Sequence, residues 1–184
     1  ADLPRAVREA AVVCFADDTT LIAVGKTLVE ARERLEAVIG EITTYCEQNQ
    51  IVIANKSQLL AVGTKEPVRV EVGGVEVNSK EHIKLIGVLL DAELSWEAQA
   101  RVAAGQVFGA ARNIARSVKG VSAKERGALM TMLAHPLLDY CQSALAEPTK
   151  KAEGFLARAY GKTARMAAGT EHTAPALQLL EWPQ

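Results

Sequence analysis

Two adjacent carboxylates, Asp17 and Asp18, are the residues of this sequence whose types and placement best suit chemistry. They lie between the apolar runs Ala11 to Phe15 and Thr20 to Val24, which predicts a β-hairpin with the carboxylates at its tip. Hard oxygen ligands of this kind suit Mg²⁺, which usually keeps waters or substrate phosphates in its shell. Because Asp is also a favoured turn residue, an ordinary solvent-exposed turn is the simpler interpretation.

The elements that must position this turn come in the order of an α+β fold, with strands first and helices last. Apolar residues three and four apart predict a helix from Lys26 to Gln50, with Thr27 as N-cap and Glu30 as its capping-box partner. Further strands are predicted at 51–53, 58–62 and 83–90, and a hairpin at 68–77 that turns on Gly73-Gly74.

The second half of the chain is helical in pattern, and cap and turn residues divide it. Ser95 is predicted to cap a helix over 96–118, which Gly120 ends. Ser122 begins the next helix, through residue 133, and Pro136 interrupts it or starts another. A helix over 150–168 is predicted to stop at Gly169, and a short final helix is predicted over 173–182.

The charged residues are unevenly distributed along the chain. The net charge of −1 conceals an asymmetry, because residues 96–170 carry eleven Lys/Arg and five Asp/Glu, whereas the remainder carries ten and seventeen. Such asymmetry suggests one part that holds cations and another that touches phosphate, or ordinary scatter of surface charge.

No apolar stretch approaches the roughly 20 residues of a membrane helix, and no signal peptide is expected. Three widely spaced cysteines predict neither a zinc site nor disulfides, which favours a reducing intracellular location, with nucleus and organelle left open.

The turn Phe15-Ala16-Asp17-Asp18 resembles motif C of reverse transcriptases: an aromatic residue, a small residue and then Asp-Asp. Later stretches follow the order of non-LTR (LINE-type) members. Asn55-Lys56-Ser57 before Leu59-Leu60 resembles motif D, residues 83–91 with Leu94-Ser95-Trp96 resemble motif E, and residues 135–141 resemble a thumb segment. Residues 165–181 resemble the stretch after the thumb, and Asp2-Leu3-Pro4 resembles the link after motif B. The resemblance covers nearly the whole chain and rests on the order and spacing of these motifs.

This resemblance implies a partial palm over residues 1–92, built of antiparallel strands with one packed helix. A helical thumb of three to four helices and a post-thumb segment would follow over 93–184. The implied activity is RNA-directed DNA polymerisation, in which two Mg²⁺ (or Mn²⁺) ions clamp the primer 3′-oxygen and the triphosphate of a deoxynucleotide. The implied partners are an RNA template with its DNA primer and deoxynucleotides, and no membrane.

The family's roles carry over to matching residues. Asp17 is the expected direct metal ligand, Asp18 is the helper, and Phe15 is expected to pack beneath the turn. Lys56 either acts near the leaving pyrophosphate, by donating a proton or offsetting charge, or is a solvated strand-end lysine. The expected primer grip consists of Leu85, Ile86 and Gly87, where the glycine permits close backbone approach or marks an ordinary bulge. Phosphate contacts are expected from four basic residues of the first thumb helix and its end, with a solvated helix face as the alternative: Arg101, Arg112, Arg116 and Lys119.

Motif A, which supplies another metal-binding Asp in the family, lies upstream of motif C there and is not in this sequence; neither is motif B. Metal ions are therefore expected to bind only together with motif A, and the isolated chain is predicted to be inactive. Ile53 stands where motif D usually has Asn, and Leu85 where motif E usually has Tyr. Two functions remain open: the C-terminal part of a polymerase, or a domesticated, non-catalytic remnant that binds RNA or serves in a ribonucleoprotein assembly.

Overall fold

The computed structural model describes residues 10–140 and 147–183, and it divides the chain into two compact units, one up to Ile83 and one from Lys84. The fold is mixed α+β, with strands before helices, as predicted. The two units divide earlier than residue 92. The boundary at residue 92 between a palm and a thumb stays a prediction. The resemblances at Asp2-Leu3-Pro4 and at Cys141 lie outside the described residues.

From residue 10 onward, the first unit contains two antiparallel hairpins and one long helix. Its elements are β1 (Ala11–Phe15), β2 (Asp18–Ile22), α1 (Leu28–Gln48), β3 (Arg69–Val72) and β4 (Val75–Asn78). The hairpins form separate two-stranded sheets, not one larger sheet. In β3–β4, Val72 pairs with Val75 across Gly73-Gly74. Both glycines have positive φ, which is the two-residue turn that the sequence predicted.

Helix α1 begins where the sequence predicted a cap. The Thr27 hydroxyl accepts a hydrogen bond from the Glu30 N–H at 3.2 Å. The Glu30 carboxylate accepts from the Lys26 N–H, not from the Thr27 N–H, so the expected reciprocal box is displaced by one residue. The buried side of α1 presents Val38, Ile39, Ile42 and Cys46, and Leu21 of β2 packs against it. This apolar side holds the first hairpin in place.

The predicted strands at 51–53 and 58–62 are wrong. Residues 51–54 have no regular structure, and Leu59 makes only an isolated parallel bridge with Ser79. Ile53 packs against the Val38 cluster, and Leu59 is buried against Ile39. The segment is therefore held by the packing of these individual side chains and does not need to pair with another strand.

The predicted strand over 83–90 is also wrong, because it is two strands. These are β5 (His82–Leu85) and β6 (Val88–Asp91), which pair as a third two-stranded sheet. The connecting residues Ile86 and Gly87 have φ of +46° and +83°. Two successive positive φ values are typical of a type I′ hairpin turn, so this segment reverses direction where a continuous strand was expected.

The second unit continues with helices close to the predicted ones. They are α2 (Glu97–Ser117), α3 (Ala123–Leu133), α4 (Pro136–Asp139), α5 (Lys150–Ala168) and α6 (Thr173–Leu180). Helix α5 ends at Gly169 as predicted, while α2 ends before Gly120 is reached. Within the described ranges, no helix combines the length and apolar character needed to cross a membrane.

Alanines form much of the interface between α2 and α5. Ala100 packs with Ala152 near the start of both helices, and Ala111 packs with Ala167 near their ends. Because the contacts advance in the same direction along both helices, α2 and α5 run parallel. Small side chains let the helices approach closely, which explains how a chain with few aromatic residues builds a core here.

Candidate functional site

The Asp-Asp turn is the tip of the β1–β2 hairpin. Phe15 pairs with Asp18, so Ala16 and Asp17 form a two-residue loop. Ala16 has φ of +53°, a left-handed value that non-glycine residues seldom adopt and that often marks functional turns. Both aspartates are exposed. The hairpin therefore presents two carboxylates to solvent on a short turn.

The expected packing of Phe15 beneath this turn is wrong, because 61% of its surface is exposed. Directly paired residues lie on the same side of a hairpin, so Phe15 shares a face with Asp18. Val13 and Ile22 are exposed on that same face. The opposite face carries Leu21, which packs against α1. The alternation of the strands thus leaves the aromatic ring on the face that does not contact α1.

Lys56 lies beside the turn. Its Nζ is 3.7 Å from Oδ1 of Asp18, and both side chains are well exposed. The lysine sits in a tight turn in which its own N–H donates to the carbonyl of Ala54. The partly buried Ile53 before it and the buried Leu59 after it anchor this segment. The structure thus brings together Asp18 and Lys56, two residues that the sequence assigned to one site.

The two aspartates alone do not complete a metal site. Carboxylate oxygens suit Mg²⁺, yet no group of three His, Cys, Asp or Glu side chains gathers anywhere in residues 10–140 and 147–183. The charged group that lies beside Asp18 among the described residues is the ammonium of Lys56, which is a cation and not a ligand. The residues of this turn fit part of a magnesium site, and further oxygen ligands are needed.

The residues expected to form a primer grip occupy the β5–β6 turn. Leu85 ends β5, and Ile86 with Gly87 makes the turn. The Tyr140 hydroxyl donates a 2.7 Å hydrogen bond to the carbonyl of Ile86. A Cβ added to Gly87 would lie 3.3 Å from that hydroxyl oxygen, so the glycine is needed both for its φ and for the approach of the tyrosine.

The four predicted phosphate-binding residues all have exposed side chains. Arg101, Arg112 and Arg116 lie on the side of α2 away from its buried Ala103 and Val107. Lys119 lies just past the end of the helix. Their contact with nucleic acid stays a prediction.

Sequence reasoning missed two basic residues of α5. The guanidinium groups of Arg101 and Arg158 lie 5.1 and 4.9 Å from the centre of the Phe155 ring. Lys162 lies 4.6 Å from the centre of the Phe108 ring. These five residues lie along two parallel helices and are here called the α2–α5 strip. The spacing of Lys151, Arg158 and Lys162 on one helix face was a usable signal, but their pairing with α2 was not visible in the sequence.

The two helices that carry the α2–α5 strip are strongly positive. Helices α2 and α5 together carry eight Lys/Arg and two Asp/Glu. One of the acids, Glu97, is paired with Lys151 at 2.5 Å at the start of the helices. Cations held over aromatic rings are positioned without being neutralised, so the strip is able to face a polyanion.

No protein-family model, curated protein or solved structure matches this chain.

Proposed function

We propose that this chain is the C-terminal palm and thumb portion of a reverse transcriptase of the non-LTR type. The observation that carries the proposal is the 3.7 Å approach of Lys56 to Asp18. The resemblance assigned these residues to two different motifs of one catalytic site, and they lie side by side although they are far apart in sequence. A lysine beside a metal-binding turn offsets charge on a leaving pyrophosphate.

The proposed partners are an RNA template with its DNA primer, and deoxynucleotides. The α2–α5 strip supports the nucleic-acid part, because it offers cations from two helices to successive phosphates without reading bases. Asp17 and Asp18 would hold part of the Mg²⁺ or Mn²⁺ ligand set, with the remaining carboxylate supplied by motif A on another polypeptide segment. The isolated chain accordingly performs no polymerisation.

Paramagnetic broadening by Mn²⁺ tests the metal turn directly. The turn alone is not expected to retain a bound ion, but its two carboxylates are expected to attract Mn²⁺ weakly. Titration of the isotope-labelled chain is therefore expected to broaden backbone signals of residues 15–19 only at millimolar Mn²⁺, and Asp17→Asn with Asp18→Asn is expected to abolish this. Glu71→Gln with Glu76→Gln is the matched control, because these two acids face each other on the β3–β4 hairpin and carry the same charge. Broadening that is equal at both hairpins, or that survives the aspartate variants, would contradict a metal role for the turn.

A second candidate function is a non-catalytic remnant that binds RNA, within a ribonucleoprotein assembly or alone. The observation that favours it is that the α2–α5 strip is formed wholly by this chain, whereas the metal turn needs additional ligands. The manganese experiment distinguishes the two candidate functions. Strong RNA binding together with no selective broadening at residues 15–19 would favour the remnant over the polymerase.

A further inference from the structure

The β5–β6 hairpin makes two hydrogen bonds with side chains that lie later in the second unit, one at its turn and one in β6. The Tyr140 hydroxyl donates to the Ile86 carbonyl at 2.7 Å, and the Leu89 N–H donates to the side-chain oxygen of Gln99 at 2.9 Å. Gln99 is only 7% exposed and belongs to α2, while Tyr140 immediately follows α4. Both bonds reach backbone atoms, so they set the position of the turn itself and not of a side chain.

Ile86 carries backbone strain at the tip of this turn. A β-branched residue at φ +46° is an outlier, and such conformations persist only where the surroundings hold them. Apolar packing covers this residue only in part, because 45% of Ile86 is exposed. The hydrogen bond from Tyr140 to its carbonyl is the contact that the structure shows at this residue.

A cleft of about 280 Å³ lies beside the turn. Its walls come from the hairpin, from α2 and from the α4 segment, and they include Lys84, Gly87, Gln99 and Tyr140. The turn thus stands at an open cleft, and Tyr140 contacts it at the edge, where a Cβ on Gly87 would meet the ring at 3.4 Å. From this place, Tyr140 contacts the backbone of the turn and leaves the cleft open.

We propose that Tyr140 is a positioning residue that holds the Ile86–Gly87 backbone in the orientation that contacts the primer strand. This rests on the proposed function, in which the β5–β6 turn is the primer grip. The bond from the tyrosine directs the Ile86 carbonyl toward the helical unit and leaves the opposite side of the turn facing solvent. The same contact links the thumb segment to the grip, so the thumb sets where the primer end lies.

Tyr140→Phe tests the proposal, because it removes the hydroxyl and keeps the ring beside Gly87. Loss of one hydrogen bond is expected to speed hydrogen exchange at the amides of residues 86–88 by about two- to tenfold. Affinity for a duplex with a recessed primer 3′-end is expected to fall by a similar factor, while affinity for a blunt duplex of the same length stays unchanged. Tyr160→Phe is the matched control, since it removes a hydroxyl that bonds the Pro183 carbonyl in the same unit.

Two failures are separable. Unchanged exchange at residues 86–88 in Tyr140→Phe overturns the positioning role, whatever the chain binds. Faster exchange with a wild-type chain that does not distinguish recessed from blunt ends overturns the primer-grip assignment, and with it the functional part of this inference. Equal loss of affinity for both duplexes also overturns the inference, because a general structural defect acts on both. A selective loss together with faster exchange supports it.

Discussion

Asp91 organises the loop that leads from β6 into α2. Its Oδ1 accepts from the N–H groups of Glu93 and Ser95 at 3.1 and 2.9 Å, and its Oδ2 accepts from the N–H of Trp96 at 3.1 Å. Burial opposes ionisation of this carboxyl, but these donors and the Ser95 hydroxyl outweigh it and lower its pKa below 3.8. The carboxylate satisfies a loop in which Leu94 and Trp96 have positive φ.

Asp91→Asn is expected to lower the free energy of unfolding by about 1–3 kcal/mol, because an amide cannot accept on both sides and one buried N–H loses its partner. Urea denaturation followed by circular dichroism measures this, with the exposed Glu71→Gln as control. The depressed pKa adds a pH signature: the contribution is present above pH 3.8 and is lost as pH falls below it. A stability loss no larger than that of the control would refute the role given to Asp91.

His135 forms an aromatic cluster with Tyr160 and Trp182, with ring centres 5.2 and 4.4 Å away. Burial lowers its pKa below the ordinary 6.5, and Asp139 on α4 opposes this only in part. A lowered pKa means that the unfolded chain takes up the proton first, so stability is full above pH 6.5 and declines as pH falls below it. Its buried Nε2 has no hydrogen-bond partner among the residues that the structure describes.

We therefore expect the midpoint of unfolding to decrease as the pH is lowered from 7 to 5. The fluorescence of Trp182 is expected to change with it. His135→Gln is expected to remove this dependence, because no group in that position then titrates. Denaturation curves at several pH values, each with its own baseline, make the comparison. A midpoint that varies equally in the variant would assign the effect to other groups.

At the scale of the element, α3 shows how local sequence determines a helix start. The Ser122 hydroxyl accepts from the Glu125 N–H, and the Glu125 carboxylate accepts from the Ser122 N–H. Both bonds use residues three apart, so nothing outside the segment is required. The predicted start at Ser122 is confirmed for this reason.

Ser122→Ala is expected to lower stability by about 0.5–2 kcal/mol, whereas Ser122→Gly costs only a few tenths. Both variants lose the capping oxygen, but glycine has no Cβ and so leaves the free N–H groups of the first turn more open to water. Thermal and urea unfolding of the two variants, made side by side, test it. If alanine and glycine were equivalent, the cap would contribute less than its geometry implies.

The β3–β4 hairpin was predictable from the sequence and the β5–β6 hairpin was not, and the reason is physical. The β3–β4 hairpin was predictable because Gly73-Gly74 suits two positive φ values and strand alternation surrounds it. The β5–β6 turn was missed because Ile86 is a residue that rarely adopts such a value. Its conformation is tied by Tyr140, which lies far along the chain. An element whose turn depends on a distant partner carries no local signal.

At the scale of the whole molecule, the proposed binding of nucleic acid by the α2–α5 strip is expected to depend on salt. Arg158→Gln with Lys162→Gln is expected to weaken binding to a template–primer duplex. The slope of log affinity against log salt is expected to become shallower by about 0.9 for each lost phosphate contact. Fluorescence anisotropy at several salt concentrations measures both effects. Lys26→Gln with Lys80→Gln removes equal charge from the first unit and is expected to change the slope little; equal effects of both pairs would indicate only a net-charge effect.

Catalysis is expected to need more than this chain. Primer extension with Mg²⁺, an RNA template, a labelled DNA primer and deoxynucleotides is predicted to give no incorporation by the isolated protein. The physical reason is that two carboxylates on one turn do not hold two cations and a triphosphate together. An active reverse transcriptase on the same template–primer is the positive control. Product above the protein-free blank, abolished by Asp17→Asn, would show that the chain contains a complete site.

The sequence by itself determined the features that depend on neighbours within a few residues. These are the Asp17-Asp18 hairpin tip, the caps at Thr27 and Ser122, and the stop at Gly169. The order of strands before helices followed from the same local patterns. Capping, turn geometry and apolar periodicity are short-range effects, and so they can be read without knowing the fold.

Only the tertiary structure decided which distant residues meet. It placed Lys56 beside Asp18, Arg158 with Arg101 around one aromatic ring, and Tyr140 on the β5–β6 turn. It also left Phe15 exposed where packing was expected. Such contacts arise from the burial of apolar residues elsewhere, which sets where whole segments lie, and no pattern of a few residues encodes that.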